Sequence, residues 1–125
     1  ENTRLRAELE RRKLPDGFPK IICLCGSSRF ISELAITSWE LEKKGYIALG
    51  LHLLPRRYTD LPDHLAEAQG VKETMDELHK RKIDLADEVL ILNIGGYIGE
   101  STRSEIEYAQ NHGKPVRYIE PPEEG

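Results

Sequence analysis

The fold of this chain is indicated most clearly by residues 88–109, which read EVLILNIGGYIGESTRSEIEYA. Residues 88–93 form a short apolar run without alternation, which is typical of a strand covered on both faces of a parallel sheet. The glycines at 95–96 permit a turn that a side chain would disfavour. A helical pattern follows over residues 102–111. The stretch therefore predicts a strand, a glycine turn and a helix, and the loop between them is where an α/β domain carries its chemistry.

Three further strands and two further helices are predicted on either side of this stretch. The strands are expected at residues 20–25, 46–49 and 115–119, and the helices at 31–44 and 71–86. The apolar positions of the helical patterns are Ile31, Leu34, Ala35, Trp39 and Leu41 in the first helix and Leu78, Ile83 and Leu85 in the second. Because strands and helices alternate, we expect a three-layer α/β domain with a flavodoxin- or Rossmann-like parallel sheet flanked by helices.

The chain is expected to form one domain with a short appendage at each end. Its 125 residues suffice to bury a core without disulfides or metals. Residues 1–17 predict an N-terminal charged helix or arm, residues 18–120 the domain itself, and residues 121–125 a disordered tail.

Composition and charge exclude several classes of protein. The net charge is −4, with acidic and basic residues interspersed, so the basic stripe that binds a nucleic-acid polymer is missing from the sequence. No apolar run approaches the roughly 18 residues of a membrane span, and the first residues do not resemble a signal peptide. We therefore expect a cytoplasmic protein that binds neither nucleic-acid polymers nor membranes.

Two cysteines, Cys23 and Cys25, lie in the first predicted strand. We expect their side chains to point to opposite faces of the sheet, which would prevent a disulfide between them. They are interpreted as buried thiols, in preference to redox or metal-binding groups.

Two carboxylates, Glu100 and Glu105, begin the helix that follows the glycine turn. A carboxylate near the positive end of the helix dipole stays ionised, which suits a nucleophile or a base, although first-turn acids also occur simply to complement the dipole. Ser101 or Thr102 is expected to cap the free N–H groups of this helix.

A second glycine turn, Gly26-Ser27-Ser28-Arg29, follows the first strand. It is too short for a Walker loop and lacks the spaced glycines of a dinucleotide fingerprint, so neither ATP nor NAD is expected and no cofactor is predicted. Two hydroxyls, helix N–H groups and a guanidinium suit a single phosphate or a sugar hydroxyl. The alternative is a serine cap followed by a surface arginine.

Several segments together resemble the nucleoside 2-deoxyribosyltransferase superfamily, which includes the 2′-deoxynucleoside 5′-phosphate N-hydrolases. The resemblance covers about residues 20–120 and is carried by CGSSR at 25–29, DLADEVL at 84–90, GESTRSEIEYA at 99–109 and GKPV at 113–116. It implies that Glu105 is the nucleophile and that Glu100 is the acidic residue preceding it. It further implies that the substrate is bound by Gly26, Ser27, Ser28, Arg29, Gly99 and Ser101, with the 5′-phosphate on Ser27, Ser28 and Arg29.

The resemblance also assigns a role to His79. It occupies the position at which the family carries an aspartate that helps to protonate the departing base, with Asp76 and Asp84 on either side. Taken alone, a histidine in this charged helix is more typical of a solvated surface. His52 and Tyr58 fall in the loop that receives the base in the family, although the neighbouring leucines could equally make this loop a packing lid.

The implied reaction is cleavage of the N-glycosidic bond of a nucleoside, deoxynucleoside or its 5′-monophosphate, by hydrolysis or by transfer to another base. It requires no metal, and the resemblance implies a homodimer or larger homo-oligomer. Two alternatives stay open. One is a catalytically silent nucleotide-binding sensor. The other is a phosphoribohydrolase acting on ribonucleotides, because residues 95–101 loosely resemble the glycine loop of that class.

Overall fold

The computed structural model describes residues 14–51 and 70–122. Parts of three predictions lie outside the described residues: residues 1–13 of the N-terminal charged helix or arm, the loop residues His52 and Tyr58, and residues 123–125 of the tail. The order of elements is that of an alternating α/β chain. The strands are β1 (Ile21–Cys25), β2 (Ile47–Leu49), β3 (Glu88–Ile91) and β4 (Val116–Tyr118), and the helices are α1 (Ile31–Lys43), α2 (Lys72–Leu85) and α3 (Glu100–Asn111).

The four strands form one parallel sheet in the order β2-β1-β3-β4. Cys23 of β1 lies opposite Leu49 of β2 and Val89 of β3. The chain passes from β1 to β2 on one side and then to β3 on the other, so the winding reverses between β1 and β3. The predicted parallel α/β sheet is confirmed, and the carboxyl ends of β1 and β3 flank the crevice in which such sheets bind ligands.

The two faces of the sheet carry separate cores. On one face Leu24 packs with Leu34 of α1 and with Leu92. On the other face α2 and α3 cover β1 and β3, and Ile83 of α2 and Ala109 of α3 are completely buried there. Full burial of a leucine or isoleucine stabilises a fold by about 1.5–3 kcal/mol, so both helical layers contribute to stability.

Burial in the helices differs from the apolar pattern of the sequence. Leu78 and Leu85 of α2 are 50% and 59% exposed and Trp39 of α1 is 65% exposed in the described structure. The buried positions of α2 are Ile83, as predicted, and His79. These two residues are four apart and share one helix face, which turns a polar side chain toward the sheet.

Charged residues fix the amino-terminal edge of the sheet, away from the crevice. The Asp87 carboxylate accepts a hydrogen bond from the Ile21 N–H at 2.7 Å. Buried Glu88 forms ion pairs with Lys20 and with Arg117. Lys114 donates to the carbonyl of Ala86 at 2.7 Å and so binds the C-terminal end of α2. These contacts join β1, β3 and β4 at the amino-terminal edge of the sheet, opposite the crevice.

No helix in the described ranges is long and apolar enough to cross a membrane.

Candidate active site

Four polar side chains meet between the sheet and the layer formed by α2 and α3. His79 comes from α2, Glu105 from α3, and Cys23 and Cys25 from β1. The His79 Nε2 atom lies 3.3 Å from Cys25 Sγ, 3.7 Å from Cys23 Sγ and 3.7 Å from Glu105 Oε1. All four residues are buried. We call this group the Cys–His–Glu cluster.

The position of the two cysteines corrects the sequence analysis. Side chains alternate along a strand, so residues two apart share a face, and Cys23 and Cys25 both point toward α2 and α3. The expectation that they lie on opposite faces was wrong. Both remain free thiols in the described structure. They are therefore neighbours of one imidazole nitrogen and form the base of a polar site within an otherwise apolar layer.

His79 is not a solvated residue. It is 3% exposed, and its second ring nitrogen, Nδ1, is buried without a hydrogen-bond partner among the described residues. The surface interpretation of His79 was therefore wrong. Its Nε2 atom faces the two thiols and the Glu105 carboxylate.

The cluster shifts the ionisation of its carboxylate and imidazole. Burial raises the pKa of Glu105, and the positive charge available on His79 opposes that shift. For His79 burial alone would lower the pKa, but the hydrogen bond with Cys23 and the negative charge of Glu105 raise it above its usual value. Each group, when charged, therefore stabilises the charged form of the other in a site that disfavours either charge alone.

The two thiols differ in acidity. The hydrogen bond from Cys25 holds the pKa of Cys23 well below its usual range, against the effect of burial. The same bond raises the pKa of Cys25, and burial and the charge of Glu105 act in the same direction. Cys23 is thus the thiol that becomes a thiolate first.

A small cleft opens beside the cluster, between the N-terminal parts of α2 and α3. Its volume is about 60 Å³, and its lining residues are Asp76, Lys80, Ser101, Ser104 and Glu105. Lys72 donates hydrogen bonds to Asp76 at 2.7 Å and to Ser101 Oγ at 3.2 Å, which joins the two helices across the cleft. Glu105 is the member of the Cys–His–Glu cluster that also lines this cleft.

The start of α3 corrects one further prediction. The helix begins at Glu100 and its N-cap is Gly99, which has no side chain to accept a hydrogen bond. Capping by Ser101 or Thr102 was therefore a wrong prediction, since Ser101 accepts from Lys72 and Thr102 is buried. Glu100 is exposed in the first turn, where its charge complements the helix dipole. Ser101 and Glu105 share the cleft, and Glu100 lies outside its lining.

The glycine turn after β1 packs closely against the end of β3. A Cβ atom on Gly26 would lie 3.2 Å from the Cβ of Leu92, so a glycine allows this approach. Ser27 Oγ accepts a hydrogen bond from the Arg29 N–H at 3.2 Å and caps a single 3-10 turn. This is the cap geometry that the sequence analysis gave as the alternative. Ser28 is exposed, and phosphate binding by these residues stays a prediction.

Tyr97 connects the two glycine turns. The Arg29 guanidinium lies 3.9 Å from the centre of the Tyr97 ring, and Phe30 contacts the same ring edge to face at 6.0 Å. A Cβ atom on Gly99 would lie 3.3 Å from the Tyr97 hydroxyl. The structure therefore brings Arg29 and Gly99, two residues that the resemblance assigns to substrate binding, next to one aromatic ring.

Asn93 holds the second turn against the end of the sheet. Its buried amide donates to the Glu120 carbonyl at 3.0 Å and accepts from the Glu120 N–H at 3.1 Å. The Glu120 carboxylate in turn accepts from the N–H of Gly95, which has a φ of 64°. Residues 93–99 are thus fixed to the chain that follows β4.

Sequence reasoning missed several contributors to this site. It gave the cysteines no part in it, and it did not consider Asn93, Glu120 or Tyr97. The correct period-two pattern of the strand would have placed both cysteines on one face. The contacts of Asn93 with Glu120 and of Tyr97 with Arg29 are long-range, and no local pattern predicts them.

Comparison of the chain with protein families, curated proteins and solved structures finds no match. The fold and the site geometry are therefore the basis on which function is inferred.

Proposed function

We propose that this protein cleaves the N-glycosidic bond of a deoxynucleoside 5′-monophosphate, with Glu105 as the nucleophile. The observation that carries the proposal is the position of Glu105. It is a buried carboxylate in the second turn of a helix, behind the carboxyl edge of the sheet, and it faces a cleft on one side and His79 on the other.

Glu105 would attack the anomeric carbon of the sugar or stabilise an oxocarbenium-like transition state, as carboxylates do in glycoside cleavage. Both roles need the ionised form. Burial raises the pKa of Glu105, and the nearby His79 imidazole opposes this by stabilising the carboxylate. His79 is therefore assigned as a positioning residue that orients the Glu105 side chain and favours its ionised form.

Protonation of the departing base is better assigned to Asp76 than to His79. Asp76 lines the cleft together with Glu105, whereas His79 lies behind Glu105 in the buried cluster. The Asp76 side chain is 43% exposed at the cleft, where a carboxyl group is within reach of a bound base. The role of general acid, which the resemblance assigned to His79, is thus assigned to Asp76, about one turn earlier in α2.

Arg29 supports a phosphorylated substrate. Its guanidinium lies on the Tyr97 ring with Ser28 exposed beside it, at the carboxyl edge of β1. A guanidinium binds phosphate through charge-assisted hydrogen bonds, and a free nucleoside offers no such partner. We assign Ser27, Ser28 and Arg29 to the 5′-phosphate, and Gly26 and Gly99 to the backbone turns that shape this subsite.

Hydrolysis and transfer differ only in whether water or a second base removes the sugar from Glu105. Neither reaction requires a cofactor, and the proposed assembly is a homodimer or larger homo-oligomer. A nucleotide-binding sensor without turnover is the second candidate. The burial of His79 favours this candidate, because the residue that the resemblance assigns as the acid does not line the cleft.

The experiment that tests the proposal is a chromatographic assay of base release. Purified protein is incubated with a panel of 2′-deoxynucleoside 5′-monophosphates, the matching ribonucleotides and the free nucleosides. We expect release from the deoxynucleotides. Release only from ribonucleotides would support the phosphoribohydrolase alternative, and tight binding without release would support the sensor.

A further inference from the structure

The Cys–His–Glu cluster has the geometry of a metal site. We propose that Cys23, Cys25, His79 and Glu105 bind one zinc ion in a tetrahedral site made of two sulfurs, one nitrogen and one oxygen. The proposal concerns the same four side chains as the active site, but it stands on their geometry and does not require the glycosidase activity.

The distances around His79 match the edges of a zinc tetrahedron. Zinc lies about 2.3 Å from sulfur and about 2.0–2.1 Å from nitrogen, so tetrahedral ligands place sulfur about 3.6 Å from nitrogen. The two Sγ atoms lie 3.3 Å and 3.7 Å from His79 Nε2. A carboxylate oxygen at about 2.1 Å from zinc would lie about 3.4 Å from that nitrogen. The corresponding distance to Glu105 Oε1 is 3.7 Å.

Three of the donor atoms form a compact buried group. The Sγ atoms of Cys23 and Cys25 and a ring nitrogen of His79 all lie within 4.8 Å of one another, and all three residues are buried. Nε2 can carry only one proton and therefore makes one good hydrogen bond. Cys25 Sγ lies at 3.3 Å, whereas Cys23 Sγ and Glu105 Oε1 lie at 3.7 Å. A cation among these three atoms would contact all of them at once, and the Glu105 carboxylate, 3.7 Å from Nε2, would complete the shell by a movement of its side chain.

The ligand types select zinc over the harder cations. Thiolate and imidazole are preferred ligands of zinc, whereas calcium and magnesium require oxygen ligands. On binding, Cys23 and Cys25 each release a proton to solvent and the two sulfurs donate electron pairs to the metal. With the Glu105 carboxylate, the site then carries three negative charges against two positive ones. Lys82, whose charge acts on both Cys23 and His79, reduces the remaining imbalance.

The ligands are held by regular elements. Two come from β1 in the centre of the sheet, one from α2 and one from α3, so no loop must fold to form the site. Access runs through the cleft, because Glu105 lines both the cleft and the cluster. Asp76, which accepts a hydrogen bond from Lys72, also lines that cleft.

Zinc binding has a consequence that does rest on the proposed function. A Glu105 oxygen bound to zinc cannot attack a sugar, so the zinc-bound protein would be inactive as a glycosidase. Zinc and substrate turnover are then mutually exclusive, and a chelator would restore activity.

The test uses the reduced full-length protein, Co²⁺ as a spectroscopic probe and Zn²⁺ with a competing chromophoric chelator. We expect one equivalent of metal per chain, thiolate-to-cobalt charge-transfer absorption and the intense visible bands of tetrahedral Co²⁺. X-ray absorption of the zinc form should show two sulfur and two nitrogen or oxygen neighbours. Cys25→Ser should weaken zinc binding by more than about 100-fold, since loss of a direct ligand exceeds the 10–100-fold cost of losing an outer partner. His112→Gln, an exposed histidine outside the cluster, is the matched control and should bind as wild type.

Octahedral cobalt spectra, a zinc shell without sulfur, or equal affinity in wild type and Cys25→Ser would overturn the site. The wild-type spectra do not depend on whether a variant folds. Base release without added metal tests the glycosidase separately. If no base is released but the sulfur-ligated metal is seen, the proposed function fails and the zinc site stands. If activity is present and zinc leaves it unchanged while bound through sulfur, Glu105 is not a ligand and the four-ligand site is overturned.

Discussion

The His79 Nε2 atom lies 3.7 Å from the Glu105 Oε1 atom, and neither side chain is more than 9% exposed. This contact joins α2 to α3 through two groups that can exist as an ion pair. It places a histidine behind the proposed nucleophile, and it leaves Asp76 facing the cleft with Glu105. The predictions below follow from this arrangement and from the contacts that hold it.

Loss of His79 is expected to destabilise the fold. His79→Ala creates a cavity and leaves the Glu105 carboxylate buried without its partner, which should lower the free energy of unfolding by about 3 kcal/mol. Urea denaturation at neutral pH with a chelator present measures the change. His112→Ala removes an exposed imidazole and should cost less than about 1 kcal/mol. Equal stability of the two variants would show that the buried pair does not support the fold.

Arg29 is expected to distinguish nucleotides from nucleosides. Arg29→Ala should raise the KM for a 5′-monophosphate by about 10- to 100-fold, the cost of losing a charge-assisted bond of about 1.5–3 kcal/mol. The KM for the matching nucleoside should stay unchanged. Arg103→Ala, on the exposed face of α3, serves as the control. An equal loss with both substrates would assign Arg29 to packing on Tyr97 instead of phosphate binding.

Asn93 is expected to stabilise the glycine turn at residues 94–96 and the end of the sheet together. Asn93→Ala removes a buried side chain that makes two hydrogen bonds to the Glu120 backbone, and should cost about 2–3 kcal/mol of unfolding free energy. Amide hydrogen exchange should show faster exchange at Gly95 and Glu120. Asn111→Ala, at the exposed end of α3, should change stability little. Unchanged exchange at Gly95 in Asn93→Ala would refute the proposed connection.

Tyr108 reports on the contact between α2 and α3. Its hydroxyl donates to Asp84 at 2.6 Å, and this bond raises the pKa of Tyr108 above its usual value. Since the pKa is higher in the folded state, the bond stabilises the fold below the ordinary tyrosine pKa, and this stabilisation is lost as the pH rises through the folded value. Asp84→Asn should therefore return the Tyr108 pKa toward its usual value in a carbon-13 NMR titration. A pKa that does not move would exclude Asp84 as the cause.

The sequence was sufficient to predict the layers of the fold. The unbroken apolar run before Asn93 and the regular alternation of strands and helices predict a parallel sheet, and the structure confirms it. Helix faces were harder to predict because hydrophobicity and burial diverge in α2. Leu78 and Leu85 carry the apolar pattern, yet His79 and Ile83 occupy the buried face.

The site was only partly predictable. The sequence pattern placed Glu105 near the start of a helix, where the helix dipole stabilises a carboxylate. The cleft and the contact with His79 depend on tertiary packing, which no local pattern predicts. Burial of His79 is decided by the packing of α2 on β1. Its charged neighbours in sequence, residues 80–82, are typical of an exposed helix segment, so the local pattern favoured a surface position for His79.

The most direct test of the central claim is the rate of base release from the preferred deoxynucleotide by wild type, Glu105→Gln and Glu107→Gln. Glu107 lies on the same helix and is exposed, so it matches the substitution without touching the cleft. The proposed nucleophile predicts a loss of at least about 1,000-fold in kcat for Glu105→Gln, as for removal of a group that acts in the transition state, and an unchanged rate for Glu107→Gln. Comparable rates in all three proteins would contradict the assignment of Glu105 as the residue that cleaves the glycosidic bond.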